Sequence, residues 1–249
     1  MGGWWRKKSA PERDVPVTDA PEFLAGSVRG TLPAHLDGPG GQRAAALVVH
    51  DDGVVLTVGD VRRTYVWSEV AHVWHANDMD GEAADGLMTT KWLHELLLEF
   101  TDGTVVNILL ADPPVVTPES AFRAGRLASS PPSVIAPLMQ RVIAPVTELH
   151  LARAKAALEA GGQVEFGPLT ARADGLHHGV KKIPWHAITS CRYGFVLFHQ
   201  DEDELGAMLR MEYAVDGSVH GFPFAWLRIP ALDVPDLDAL VRLADENRP

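Results

Sequence analysis

Asp174-Gly175-Leu176-His177-His178-Gly179-Val180-Lys181-Lys182-Ile183-Pro184-Trp185-His186-Ala187-Ile188 restates in outline an earlier stretch of the same chain. That stretch is Asp52-Gly53-Val54, then Gly59-Asp60-Val61-Arg62-Arg63-Thr64-Tyr65-Val66-Trp67-Ser68-Glu69-Val70. Each runs from an Asp-Gly turn through a short apolar strand, a second glycine turn and a basic doublet to a tryptophan. A second match lies downstream of each. Leu96 to Val105, through Glu99-Phe100-Thr101-Asp102-Gly103, aligns with Leu209 to Val219, through Glu212-Tyr213-Ala214-Val215-Asp216-Gly217, once one residue is inserted. The offset between partners shrinks from Gly53/Gly175 through Trp67/Trp185 to Gly103/Gly217, so every length change falls in a turn, where it is tolerated. The chain reads as two copies of one small β-rich unit.

Working outward, Ala46-Leu47-Val48-Val49-His50 and Val54-Val55-Leu56-Thr57-Val58 flank the first Asp-Gly turn, the pattern of a strand meander. Lys91 to Phe100 fits a helical stripe as well as a strand. Its counterpart Leu209 to Tyr213 is short and ends at the same turn, which favours strand. Between Thr117 and Gly161 the period becomes helical, with Ile135, Leu138, Met139, Val142, Ile143 and Val146 spaced by three or four and Gly161-Gly162 as the stop. Pro137 and Pro145 predict a kink or an interrupted start, with the regular part of the helix over 146–160. A last helix carries Leu237, Leu240, Val241 and Ala244 on one face. The expected organisation is a flexible Pro/Gly-rich leader over 1–42, a first β unit with a trailing helix over 43–133, a connecting helix over 134–162, and a second β unit with a C-terminal helix over 163–249.

A meander of about seven short strands sealed by a helix is the logic of a small barrel whose open end the helix covers. Phe166-Gly167-Pro168-Leu169-Thr170, Asp174-Gly175-Leu176, Ile183-Pro184-Trp185-His186-Ala187-Ile188, Arg228-Ile229-Pro230-Ala231-Leu232 and the final helix resemble an uncharacterised bacterial family of pleckstrin-homology-like (PH-like) domains of unknown function. The resemblance covers roughly Leu149 to Ala244. The first copy departs from it, with Val66-Trp67 in place of Pro184-Trp185 and no Ile-Pro near its end. What the resemblance implies is a β-dominated α+β fold of two PH-like antiparallel barrels, each followed by a helix; it carries no known catalytic residues.

Composition narrows the function. Of 249 residues, 46% are hydrophobic and 22% charged, a globular balance. The net charge of −11 repels nucleic acid, which is not an expected partner. Cys191 is the only cysteine, so neither an internal disulfide nor a multi-cysteine zinc site is expected. With no apolar span or secretory core, the expected location is cytoplasmic. Among eleven histidines, His72 and His75 would point to opposite faces of a strand, and adjacent His177 and His178 do likewise, so neither pair favours a shared metal. Asp201-Glu202-Asp203-Glu204 reads as a solvated loop. A Gly-x-Ser-x-Gly elbow, a Walker loop and a Gly-x-Gly-x-x-Gly fingerprint are all missing, and no cofactor or catalytic residue is expected.

The residues singled out for contact with a ligand or membrane are cationic and aromatic. Arg62-Arg63 and Lys181-Lys182 occupy matching places before each repeat tryptophan, where cations guard a strand edge or meet an anion. Trp4-Trp5-Arg6-Lys7-Lys8 pairs indoles with cations, as an interfacial contact requires. The leading expectation is a non-enzymatic protein-interaction or scaffolding module with a protein partner. The alternative is a peripheral membrane protein binding phospholipid headgroups through the N-terminus and the doublets, and an enzyme with an inter-domain pocket ranks third. Trp67 and Trp185 are expected in the core, with Trp226 on a late strand of the second barrel. Replacing Trp185 with Ala should lower unfolding free energy by about 3–5 kcal/mol in a denaturant titration. An unchanged midpoint contradicts the core assignment.

Overall fold

The structure, a computed structural model, describes residues 27–36, 41–120, 133, 135–196, 206–215 and 224–248. The strands are β1 (Val28–Leu36), β2 (Arg43–His50), β3 (Gly53–Val58), β4 (Val61–Val66), β5 (Val70–Ala84), β6 (Leu87–Phe100), β7 (Val105–Ala111) and β8 (Val115–Pro118). Helix α1 (Ala136–Glu159) follows, then β9 (Gln163–Phe166), β10 (Leu169–Arg172), β11 (Gly175–His178), β12 (Lys181–Ile183), β13 (Ile188–Val196), β14 (Gly206–Ala214), β15 (Phe224–Pro230) and helix α2 (Leu237–Asn247). The fold is α+β and β-dominated.

A four-strand meander followed by a three-strand meander occurs twice. The second copy forms sheets ordered β12-β11-β10-β9 and β13-β14-β15; the first forms one sheet ordered β4-β3-β2-β1-β7-β6-β5, with β8 on β6. The sheets are open rather than closed into two barrels. In the first copy β1 is nine residues long and pairs with β2 along its length and with β7 at His35↔Asn107 and Leu36↔Val106. In the second, β9 has four residues and among the described residues pairs only with β10, too short to bridge to β15.

The repeat is physical as well as textual. A side chain at Gly53 would fall 2.0 Å from the Tyr65 carbonyl oxygen and 2.8 Å from Val66 Cα; at Gly175 it would fall 2.2 Å from the Ile183 oxygen and 2.8 Å from Pro184 Cα. Each glycine thus lets one strand press against the backbone just before the tryptophan. The tryptophans then open matching 3₁₀ turns, Trp67–Glu69 and Trp185–Ala187. Each indole N–H donates to a backbone carbonyl shortly upstream of the glycine, Trp67 to Asp51, two residues before Gly53, at 2.8 Å and Trp185 to Arg172, three residues before Gly175, at 2.9 Å. Both rings are buried, at 6% and 8% exposure, as the sequence led one to expect.

Two expectations are revised by context. Val28–Leu36, placed in the leader because prolines recur over 1–42, is β1: Leu32 and Ala34 are buried while Pro33 between them points outward, so the strand alternates normally around a residue that lacks an N–H. Helix α1 runs through Pro145 without an interrupted start. Pro137 sits in the first turn, where its missing N–H has no partner in any case. Pro145 forfeits one bond to the Arg141 carbonyl, and burial of Met139, Val142, Ile143 and Val146 on either side offsets that loss. The stop is as read: Gly162 N–H reaches the Ala157 carbonyl at 2.8 Å and Gly161 N–H the Leu158 carbonyl at 3.0 Å, a Schellman closure with Gly161 at φ +76°. The trailing helix expected before residue 133 falls largely outside the described residues.

The chain divides into two compact units, residues 1–71 with 98–108 and residues 72–97 with 109–249. In the first, Leu32, Leu47, Val54, Leu56, Tyr65, Phe100 and Ile108 form the interior, and the Tyr65 and Phe100 rings stack at 3.8 Å. In the second, Phe166, Leu169, Leu176, Ile183 and Trp185 meet Ile188, Leu209, Met211 and Ile229, with α2 supplying Leu237, Leu240 and Leu243 and α1 supplying Leu151 and Ala154.

Gly175→Ala should cost several times more stability than Gly179→Ala. The first drives a methyl into backbone at φ +143°, whereas the second, at φ +58° with open space around it, costs about 1–2 kcal/mol. Equal shifts in the denaturation midpoint contradict the close-approach account.

Candidate functional site

The basic doublets are anchored on their own units. In β4, Arg62 is exposed, whereas Arg63 turns in, its Nη1 donating to Thr104 Oγ1 at 3.3 Å and lying 3.7 Å from Asp102 Oδ2. The Tyr65 hydroxyl meets the same pair, at 3.0 Å from Asp102 Oδ2 and 3.1 Å from Thr104 Oγ1. Arg63 and Tyr65 therefore brace the turn between β6 and β7. In β12, Lys181 bonds the Tyr213 hydroxyl and lies 4.6 Å from that ring's centre, while Lys182 is 2.7 Å from Asp174 Oδ2. Asp174 also faces His177 at 3.1 Å, and these two partners hold its carboxyl down to about 2. Trp4, Trp5, Arg6, Lys7 and Lys8 lie outside the described residues.

A buried carboxylate that sequence reading passed over organises the second unit. Asp236, just before α2, has φ +55° and is 7% exposed. Its N–H donates to the Val73 carbonyl at 2.7 Å, and its Oδ1 accepts the Val73 N–H at 3.0 Å. The same Oδ1 lies 2.7 Å from His150 Nδ1 on α1, and Oδ2 lies 2.9 Å from His72 Nδ1 on β5. Burial opposes ionisation of this carboxyl, but the bonds from His150 and His72 outweigh it and hold the group below the usual carboxylate range. Beside it, His75 Nε2 is 3.4 Å from Asp238 Oδ2, and its ring stands edge-on to Tyr193 at 4.9 Å. His72 and His75 do diverge, the first half-exposed and the second buried.

A second histidine knot carries the residue types of a hydrolytic triad in a different wiring. Buried His94 faces Asn77 Oδ1 through Nδ1 at 2.9 Å and Asp112 Oδ2 through Nε2 at 2.8 Å. Ser133 Oγ is 3.4 Å from Nε2 but only 2.9 Å from Asp112 Oδ1, and it accepts the N–H groups of Ile135 and Ala136. A nucleophilic serine gives its proton to a histidine that a carboxylate orients from the other nitrogen. Here serine and histidine both turn to one carboxylate, and the hydroxyl accepts the backbone N–H groups that lead into α1. Cys191 is buried, which pushes its thiol up to about 12. Among the described residues no group of three or more His, Cys, Asp or Glu side chains is placed to hold a metal ion.

The least accounted-for surface is the outer face of β13-β14-β15. Register aligns Arg192 with Arg210 and Arg210 with Arg228, so three guanidinium side chains cross the sheet in one row. The neighbouring row is Ser190, Glu212 and Trp226. Trp226 is 54% exposed and Phe224 45%, both on the outward side of β15 while Ala225, Leu227 and Ile229 turn to the core. Trp226 thus belongs to the surface. The signal that would have found this row is cross-strand register, which depends on loops of unequal length and cannot be read from one strand at a time.

No protein-family model matches the sequence, and neither does any curated protein. No helix among the described residues is long and apolar enough to cross a membrane.

Asp236→Asn should lower unfolding free energy at neutral pH by about 3 kcal/mol, because it strips the charge from a buried network that positions two imidazoles. The carboxyl is held low in the folded state, so its contribution is whole above the ordinary value of about 4 and is lost as pH falls through the folded value. Urea titrations from pH 7 downward should show a wild-type decline below about pH 4 that is shallower in the variant. Equally steep acid limbs contradict the assignment.

Proposed function

We propose that this chain is a non-enzymatic protein-interaction or scaffolding module built from two PH-like units. The repeated order of four strands then three, ending in α2 behind the second copy, supports the PH-like reading, with sheets that remain open. The observation that carries the functional reading is the edge strand β15. It exposes Phe224 and Trp226, and among the described residues it has β14 on one side and no strand on the other. Large aromatics on an open strand edge are a liability unless something covers them, and partially buried Trp is the side chain most enriched at binding hot spots. The imidazole–carboxylate groups, by contrast, serve as internal braces.

Capture from native lysate by the full chain, compared with the Phe224→Ser/Trp226→Ser variant, tests the reading. The expected result is one or more proteins retained by the wild type and lost from the folded variant. Capture of nothing, or of the same proteins by both, overturns it.

A further inference from the structure

The outer face of β1–β4 is apolar where a sheet face open to water is ordinarily polar. Cross-strand register sets Thr31, Val48, Val55 and Thr64 in one row and Pro33, Ala46, Thr57 and Arg62 in the next. Arg62, on the edge strand, is the one charged side chain in the two rows. Val28 and Val66 extend the face at 60% and 41% exposure. The alternate residues Leu47, Val49, Val54 and Leu56 are buried beneath it, so β2 and β3 are apolar on both sides, the composition of strands with a cover on each face.

The duplication supplies an internal control. Counted by the same register, the row in the second copy that matches Thr31–Val48–Val55–Thr64 is Glu165–Thr170–His177–Lys182, with Arg172 beside it. Glu165, Arg172 and Lys182 are exposed, and Lys182 and His177 both meet Asp174. Four antiparallel strands carry the row in each copy, so the backbone does not require valines there. The first copy has an uncharged face where the second has a solvated one, on a chain whose net charge is −11. That charge opposes contact between two molecules except across a surface that carries none. Four strands about 4.8 Å apart and about six residues of about 3.4 Å each span roughly 19 by 20 Å. Two such faces, with their side-chain relief, bury on the order of 1,000 Å² together, the small end of specific contacts.

We infer that the outer face of β1–β4 packs on the same face of a second copy of this chain, sheet on sheet about a two-fold axis, in a weak homodimer. The inference is independent of the β15 edge. A flat face of Val, Thr, Ala and Pro lets two sheets close to the usual spacing of about 10 Å, and the contact is self-complementary because each molecule offers the same patch. Charge on the matching face of the second copy has a role in this arrangement. Were both faces apolar, each chain could take a neighbour on either one and grow into a filament, whereas a single apolar face closes the assembly at two. A charged partner would find only Arg62 to read, and a lipid surface would be repelled by the acidic remainder.

Sedimentation velocity of the full chain, from about 1 to about 300 μM, reads the association directly. Wild type should pass from monomer to dimer with a Kd on the order of 10–100 μM, as suits a contact of this size. Added salt should tighten the dimer, because it screens the repulsion between two acidic molecules and has no ionic contact to weaken. Grafting the second copy's row onto the first, as Thr31→Glu/Val48→Thr/Val55→His/Thr64→Lys, should weaken self-association about tenfold or more in a chain that still melts cooperatively. Val55→Lys alone, a single outward change on β3, should give the same loss and guards against a graft that does not fold. The Phe224→Ser/Trp226→Ser variant should dimerise like wild type. A wild type that stays monomeric throughout, or folded variants of the β1–β4 face that dimerise as wild type does, overturns the assignment. So does a dimer that loosens as salt rises, which marks an ionic contact, or one that Phe224→Ser/Trp226→Ser abolishes, which moves the contact to β15. Lysate proteins captured by a monomeric wild type and lost from the folded graft make the face a docking site for a different protein, and also overturn it.

Discussion

The carboxylate of Asp236 is the constraint on which the second unit depends. One residue in a left-handed backbone conformation exchanges two hydrogen bonds with Val73 near the start of β5, receives His150 from α1 and His72 from β5, and precedes α2. Its ordinary role at that position would be to cap the helix, yet its side chain makes no cap bond. The carboxylate is spent instead on strand and imidazole partners, and only the Asp236 carbonyl joins the helix, accepting Leu240 N–H at 3.0 Å. Because α2 then lays Leu237, Leu240 and Leu243 against the inward residues of β13, β14 and β15, fixing its first turn fixes the layer behind the arginine row.

Duplication kept the closing device and released the surface. Glycine close approach, indole-to-carbonyl bond and 3₁₀ turn recur in both copies because together they solve one backbone problem: carrying the chain from the four-strand meander into the three-strand one without stranding a carbonyl. Nothing in that device constrains what the outward positions carry. At the places where the second copy has Arg192 and Arg210, the alignment of the repeats puts Trp74 and Leu97 in the first. The edges diverged too, since β7 is met by β1 in the first copy, whereas β9 stops short in the second.

How much was legible in the sequence follows from the range of each interaction. Turns, strand alternation, the Gly161-Gly162 stop and the burial of Trp67 and Trp185 depend on residues close in the chain, and all could be read. Pro33 of β1 misled because its exposure on one face is a property of the sheet. Pro145 misled because propensity weighs one lost bond, whereas the helix is held by apolar contacts on both sides of it. The doublets were visible, but the aspartate and threonine that hold Arg63 come from a distant turn and the tyrosine that holds Lys181 from a distant strand. Asp236 and the arginine row were not legible, because the first joins residues from opposite ends of the chain and the second exists only once three strands share a register.

Native-state hydrogen exchange of the full chain tests the central role of Asp236 most directly. The Val73 and Asp236 amides, each bonded to the other residue, should be among the slowest in the second unit and should exchange only with its global opening; in Asp236→Asn both should lose protection together with the amides of α2. Rapid exchange at Val73 and Asp236 while β14 and α2 remain protected would contradict the account.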